Sequence, residues 1–324
     1  MNVVITGGAG FLGQRLAKAL LETGIAGPSG QPVPIKRLML ADHASIPQLD
    51  DARVSYATGD IADPAFVAAI VADDCHLLFH LAAVVSSQAE ADFDLGMRVN
   101  VDASRLVLER CRAIGSKPRV IFTSSVAVFG PAEAGAEPVV SPRSSYGAGK
   151  AISELMLSDY ARRGYVEGVV LRLPTITVRP GKPNQAASSF VSGIVREPLS
   201  GEDAVCPVAT ETRLWLLSPR GAIAGMLHAA GLPAEALAAS PVINLPGISV
   251  TVADIIASVA RVGGAPAAAR IRMVGDERID AIVSSWPGQL DDRIARKLGF
   301  PGDESFDEIV RQFVENDLPV ALGA

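Results

Sequence analysis

Short continuous apolar runs alternate with longer stretches of helical periodicity through the first half of the chain. The runs at 2–6, 37–41, 54–58, 77–82 and 119–124 predict strands. Between them, 10–23, 63–72 and 93–114 predict helices. A further helix at 145–163, with Ile152, Leu155, Met156 and Tyr160 at apolar positions, leads into a strand at 166–173. Strands that stay apolar without in-and-out alternation are buried on both faces. The pattern therefore predicts an α/β fold, a Rossmann-type doubly wound parallel sheet covered by helices on both sides. The rhythm fails from 174 to 219, where Pro and Gly interrupt mixed patterning and predict loops and short elements. Helices at 225–230, 252–262 and 305–315 and a strand at 242–245 follow. Residues 25–34, rich in Gly and Pro, predict a mobile loop. The expected division is a first domain over 1–175 that also receives 220–245, and a smaller α/β substrate-binding region over 176–324.

Composition narrows the partners. At 324 residues the chain exceeds the size at which one core usually stops growing, and 49% hydrophobic with 20% charged residues supplies ample material to bury. A net charge of −6 without any Lys/Arg run argues against nucleic acid, which needs a concentrated basic surface. No apolar stretch reaches the roughly 18 residues of a membrane helix, and a strand at 2–6 leaves no leader-like segment, so a cytoplasmic protein is expected. Cys75, Cys111 and Cys206 are odd in number and widely spaced, which predicts buried reduced thiols and no metal site.

Candidate chemistry begins at the first strand. Val3-Val4-Ile5-Thr6-Gly7-Gly8-Ala9-Gly10-Phe11-Leu12-Gly13 sets glycines at 7, 10 and 13 between a strand and a helix. Gly7 suits a tight turn, Gly10 a close approach to a pyrophosphate, and Gly13 close helix–sheet packing. The helix N-terminus that follows favours an anion. Asp42 ends the second strand, where a carboxylate accepts from ribose hydroxyls and repels a 2′-phosphate. This selects NAD, with His43 and Arg37 keeping NADP open. Gly59-Asp60-Ile61 and His80-Leu81-Ala82-Ala83 fall at the same sheet edge. Asp60 could bond an adenine amino group and Ile61 pack on its ring, whereas His80 reads as a structural residue.

Tyr146-Gly147-Ala148-Gly149-Lys150 stacks a phenol and an ammonium one helical turn apart. Free tyrosine ionises near pH ~10, and a neighbouring cation favours the phenolate, bringing it towards use as a general base. The two intervening glycines are poor helix formers, which suggests close approach of a cofactor or substrate there. Ser124 and Ser125 end the strand at 119–124 with hydroxyls at the same edge. Together, the glycine loop, Asp42, Gly59-Asp60-Ile61, His80-Leu81-Ala82-Ala83, Asn100, Ser124-Ser125 and Tyr146-x-x-x-Lys150 resemble the extended short-chain dehydrogenase/reductase family. That resemblance implies that Ser125 bonds the reacting oxygen, Tyr146 exchanges its proton, and Lys150 binds the nicotinamide ribose and keeps Tyr146 acidic. It further implies that Asn100 supports the site, that Pro174 contacts nicotinamide, and that the long helices at 93–114 and 145–163 pair in a homodimer. Ser124 is the lesser candidate, because Ser125 is the one directly before Val126-Ala127-Val128-Phe129-Gly130.

The second half departs from nucleotide-sugar members of that family. Arg213-Leu214-Trp215-Leu216-Leu217-Ser218-Pro219-Arg220 lacks their acidic positions, and Thr175 stands where they carry asparagine. The run from Leu171 to Asn184 is instead similar to members that oxidise a four-carbon sugar acid. This implies D-erythronate as substrate and 2-oxo-D-erythronate as product. A small acid needs a cation, and Arg179 and Arg213 are the candidates to fork its carboxylate, with Thr175 and Ser125 beside it. The alternatives are a nucleotide-sugar epimerase or dehydratase and a non-catalytic NAD-binding protein.

Overall fold

The computed structural model describes residues 1–27, 31–131, 137–181, 186–238 and 241–318. Strands Asn2–Thr6 (β1), Arg37–Asp42 (β2), Val54–Thr58 (β3), Leu77–His80 (β4), Arg119–Ser125 (β5), Glu167–Leu173 (β6) and Val242–Asn244 (β7) form one sheet in the order β3-β2-β1-β4-β5-β6-β7. Every neighbouring pair is parallel. Successive side chains on a strand point to opposite faces. Val3 and Ile5 accordingly enter one core with Leu16 and Leu20 of helix Phe11–Thr23 (α1), while Val4 enters another with Val67 and Val107. Those last two residues belong to helices Pro64–Ile70 (α2) and Ala103–Ile114 (α3). Burial on both faces is the reason the central strands β1 and β4 are mostly apolar, whereas the edge strand β3 is partly exposed and carries Ser55 and Thr58.

The stretch at 93–114 is helical but not uniformly so. A π-type turn, Arg98–Asp102, interrupts it and contains Asn100. Helix Ser145–Arg162 (α4) starts on a Ser144 cap, whose hydroxyl accepts from the Gly147 amide at 3.1 Å. Two loop expectations need correction. The described parts of 25–34 pair as an antiparallel ribbon, Ile25–Ala26 with Pro32–Val33, because alternating backbone groups satisfy one another there. The region 174–219 contains a full helix, Ser189–Leu199 (α5), whose Val191, Ile194 and Val195 are buried in a second core.

That second core lies over a small mixed sheet of Thr175–Ile176, Arg213–Leu217 and Ile248–Thr251. Helices α5, Val252–Gly263 and Phe306–Asn316 cover it. The chain also returns to the first core. Helix Pro219–Gly231 (α6) buries Ala222 and Met226 there, β7 extends the large sheet, and Ala295 and Phe300 complete the packing. Residues after 219 thus contribute to both cores.

Candidate active site

A crevice of about 310 Å³ opens at the carboxyl edge of the large sheet. Gly7, Gly10, Phe11, Leu12, Gly13, Ser125, Tyr146, Lys150, Pro174, Thr175 and Arg179 all line it. The glycines do different work. Gly7 has a φ of 77°, and a Cβ there would lie 2.8 Å from the Ala82 amide nitrogen. Ala82 therefore braces the loop from behind, and its amide donates to the Thr6 hydroxyl at 3.3 Å. A Cβ on Gly13 would collide with the Gly7 carbonyl, which explains how closely α1 sits against the sheet. Gly10 differs: a Cβ there would meet only the Gly7 carbonyl oxygen, at 3.1 Å. Its small size keeps the crevice itself open at the start of α1, as a dinucleotide pyrophosphate requires. Asp42 accepts from the Ala9 amide at 2.9 Å and from the Ala44 amide at 3.1 Å, so the carboxylate that ends β2 is fixed beside the glycine turn. The residues present fit NAD.

Tyr146 and Lys150 face the crevice together, with Lys150 only 2% exposed. The ammonium donates to the Thr123 carbonyl at 2.8 Å and lies 4.6 Å over the Phe122 ring and 5.8 Å from the centre of the Tyr146 ring. Burial pulls Lys150 down to about 7, opposed by the Glu154 carboxylate. The same burial pushes the Tyr146 phenol up to about 12, opposed by a hydrogen bond with Ser125. The resemblance implies that Lys150 keeps the phenol acidic. In the chain by itself desolvation outweighs the neighbouring charge, which is engaged by the Thr123 carbonyl. The glycines inside the motif also need a different account. A Cβ on Gly147 would collide with the Ala127 carbonyl, and one on Gly149 would stand 3.1 Å from the Asn100 Cβ. They are small because α4 packs tightly on its own protein, not because a ligand approaches there.

Several groups act from behind. Asn100 accepts from the Val84 amide at 2.8 Å and donates to the Val84 carbonyl at 3.0 Å, fixing the segment after β4; it positions the site without lining it. His80 is buried between the hydroxyls of Thr6 and Ser104, and burial drives it down to about 3, so it is neutral and structural. The Ser124 hydroxyl donates to Glu154, whereas the Ser125 hydroxyl accepts from the Ala127 amide at 3.1 Å and meets Tyr146. Asp60 is tied to Arg98 and caps the Ala62 amide, and Ile61 is buried in the core; neither lines the crevice.

Of the two candidate arginines, the structure brings one to the site. Arg179 is partly buried, with its guanidinium 5.7 Å over the Phe11 ring. Its amide donates to the Ser192 hydroxyl at 3.0 Å and its carbonyl accepts from Arg196 at 2.6 Å, so α5 holds its backbone from both sides. Burial and the charge of Arg196 lower its pKa, and no carboxylate among the described residues pairs with it. Arg213 is exposed on its strand, reaches towards Ser249 and lies off the crevice. Lys182, Pro183 and Asn184 fall outside the described residues. Ser86, Ser188 and Trp286 also line the crevice. No motif marked them; Trp286 joins from more than a hundred positions beyond Lys150, and only the fold brings it there.

Comparison with known proteins follows the same outline. A family model described as the NAD dependent epimerase/dehydratase family matches residues 3–218. The chain is 56% identical to D-erythronate dehydrogenase of Cupriavidus necator over 319 residues, covering 98% of each chain. It is 46% identical to D-erythronate dehydrogenase of Haemophilus influenzae, covering 98% of this chain and 100% of that one. Among solved structures, a nucleoside-diphosphate-sugar epimerase from Agrobacterium tumefaciens superposes with a TM-score of 0.91 at 40% identity, covering 99% of this chain and 96% of that one.

Proposed function

The chain belongs to the NAD dependent epimerase/dehydratase family, and we propose that it oxidises D-erythronate at C2 to 2-oxo-D-erythronate with reduction of NAD. The observation that carries this reading is the meeting of Ser125, Tyr146 and Lys150 with Thr175 and Arg179 on a crevice whose other wall is the glycine turn. The substrate is taken from the two relatives that match over nearly their whole length.

Arg179 forks the substrate carboxylate, which fixes the end of a short acid and leaves C2 towards Tyr146. Ser125 holds the C2 oxygen by hydrogen bonding, and the Tyr146 oxygen removes its proton. Because burial favours the neutral phenol, Tyr146 needs extra positive charge beside it to act near neutrality. Lys150, buried in the same wall, is the chain's own source of that charge. NAD, when bound, supplies the acceptor for the C2 hydride. The carboxylate of Asp42 at the end of β2 favours NAD over its 2′-phosphorylated form.

We further place the protein in the cytoplasm as a homodimer, joined through α4 and the helical stretch from Phe93. Phe93, Ile152 and Leu155 are exposed apolar residues on those elements. Light scattering that returns a monomer mass would remove the dimer. For the reaction, purified protein is incubated with NAD and either D-erythronate or L-threonate. NADH formed in proportion to D-erythronate consumed is the expected result. The rival reading, favoured by the likeness to the Agrobacterium structure, is epimerisation of a nucleotide sugar. Conversion of such a sugar with no net NADH, and no turnover of D-erythronate, would replace our reading with it.

A further inference from the structure

The working groups of the site come from three elements: Tyr146 and Lys150 from α4, Ser125 from the end of β5, and Pro174 and Thr175 from just beyond β6. One buried carboxylate touches all three elements. Glu154 follows Lys150 by four positions and Tyr146 by eight, so the three side chains share a face of α4. Glu154 is 4% exposed. It accepts from the hydroxyl of Ser124, the neighbour of Ser125, and pairs in two-pronged fashion with Arg172 of β6 at 2.9 and 2.6 Å. The Arg172 guanidinium is itself seated 4.8 Å over the Phe129 ring.

Buried ion pairs contribute little net stability compared with apolar packing of the same volume, so stability alone does not account for this one. Its surroundings supply another reason. The charged and titratable groups facing Lys150 are Tyr146 and Glu154 on α4, His80 on β4, and Arg172 on β6 behind Glu154. Tyr146 and His80 are neutral, which leaves Glu154 as the one anion among the described residues acting on the ammonium.

We propose that Glu154, held in place by Arg172, is a positioning residue for the Tyr146–Lys150 pair: it locks α4 to the ends of β5 and β6 and sets a carboxylate one helical turn from the buried ammonium. This rests on the reading of Tyr146 and Lys150 as the working pair. Burial alone draws Lys150 towards neutrality, and the Glu154 carboxylate opposes that draw.

The test follows the ionisation of Lys150 directly, in full-length protein without NAD or substrate. The chain is labelled with ¹³C-lysine, and the Lys150 signal is assigned by its loss in Lys150→Arg. Glu154→Gln keeps size and hydrogen bonding but removes the charge, and should lower the proton affinity of Lys150 roughly tenfold. Arg172→Lys keeps the neutralising charge but loses the two-pronged clamp, and should lower that affinity by less than Glu154→Gln does. The alkaline limb of kcat should move with each titration. An unmoved or raised proton affinity of Lys150 in folded Glu154→Gln overturns the proposal, as does a larger drop in Arg172→Lys than in Glu154→Gln, which would report general loosening. If Glu154→Gln does not fold, an unmoved or raised affinity in Arg172→Lys overturns it. Failure to make NADH from D-erythronate would remove the proposed function yet leave this titration readable.

Discussion

The glycine-lined wall of the crevice is made of backbone, whereas the wall facing it is made of side chains. Gly7, Gly10 and Gly13 act by what they lack, and the strand ends of β1, β4 and β5 fix their geometry through a parallel hydrogen-bond ladder. Across from them, Thr175, Arg179, Ser188 and Trp286 stand on loops and short elements held by the second core. A backbone wall suits the part of the chemistry that does not vary, since it is built of main-chain atoms and only glycine fits at 7 and 13. A side-chain wall suits discrimination among substrates, because a change of one residue leaves the backbone intact. The division predicts that variants on the two walls separate catalysis, cofactor affinity and substrate affinity.

The largest effect belongs to Tyr146→Phe. Turnover should fall at least about 100-fold, as expected for loss of a general base, while the Kd for NAD measured by titration calorimetry stays within a few-fold. Loss of NAD binding instead would show that the phenol mainly builds the cofactor wall. A second prediction concerns how completely that wall excludes water. Lys150 falls from 10.5 to about 7 through burial. Below the folded value both folded and unfolded chains carry the proton, and the burial cost is borne in full. Between the two values the unfolded chain binds more protons, so wild-type stability rises with pH. Lys150→Met should therefore be more stable than wild type by a few kcal/mol near about pH 6, with the gap closing towards pH ~10. A gap in urea-melt stability that does not vary with pH would mean the ammonium is hydrated.

On the facing wall, Arg179→Met should raise the KM for D-erythronate roughly 10- to 100-fold, the worth of a lost charge-assisted pair, with little change in NAD affinity. An equal loss of NAD affinity would shift this guanidinium, which lies over Phe11, to the cofactor side and blur the division. Asp42→Ser should cost about tenfold in the KM for NAD and improve use of NADP. Arg213→Ala should change neither KM by more than about twofold, as for an exposed side chain away from the crevice.

The legibility of these features in the sequence followed the same line. The central strands, the glycine turn and the stacking of Tyr146 on Lys150 were readable because local spacing dictates them: a strand buried on both faces is mostly apolar, and a stacked pair falls four positions apart. The roles of Gly147 and Gly149 were misread because helix spacing says which residues are neighbours, not what lies against them. Burial likewise decided the ionisation of Tyr146, and burial is a property of the whole fold. Ser86, Ser188 and Trp286 carry no spacing signal at all. Arg179 and Arg213 looked equivalent in sequence until α5 clasped the backbone of one and the strand direction left the other outside.

The late return of the chain to the large sheet bears on how this protein can be taken apart. β7 covers the outer edge of β6, and Met226, Ala295 and Phe300 fill the first core from positions long after the glycine turn. A fragment ending at 175 would present a bare strand edge and an unfilled hollow, and would stick to other chains instead of standing alone. The dinucleotide half is thus no transplantable module. Chimeras that exchange substrate preference should swap the loop around Arg179 together with the turn bearing Trp286, leaving the threads on either side continuous.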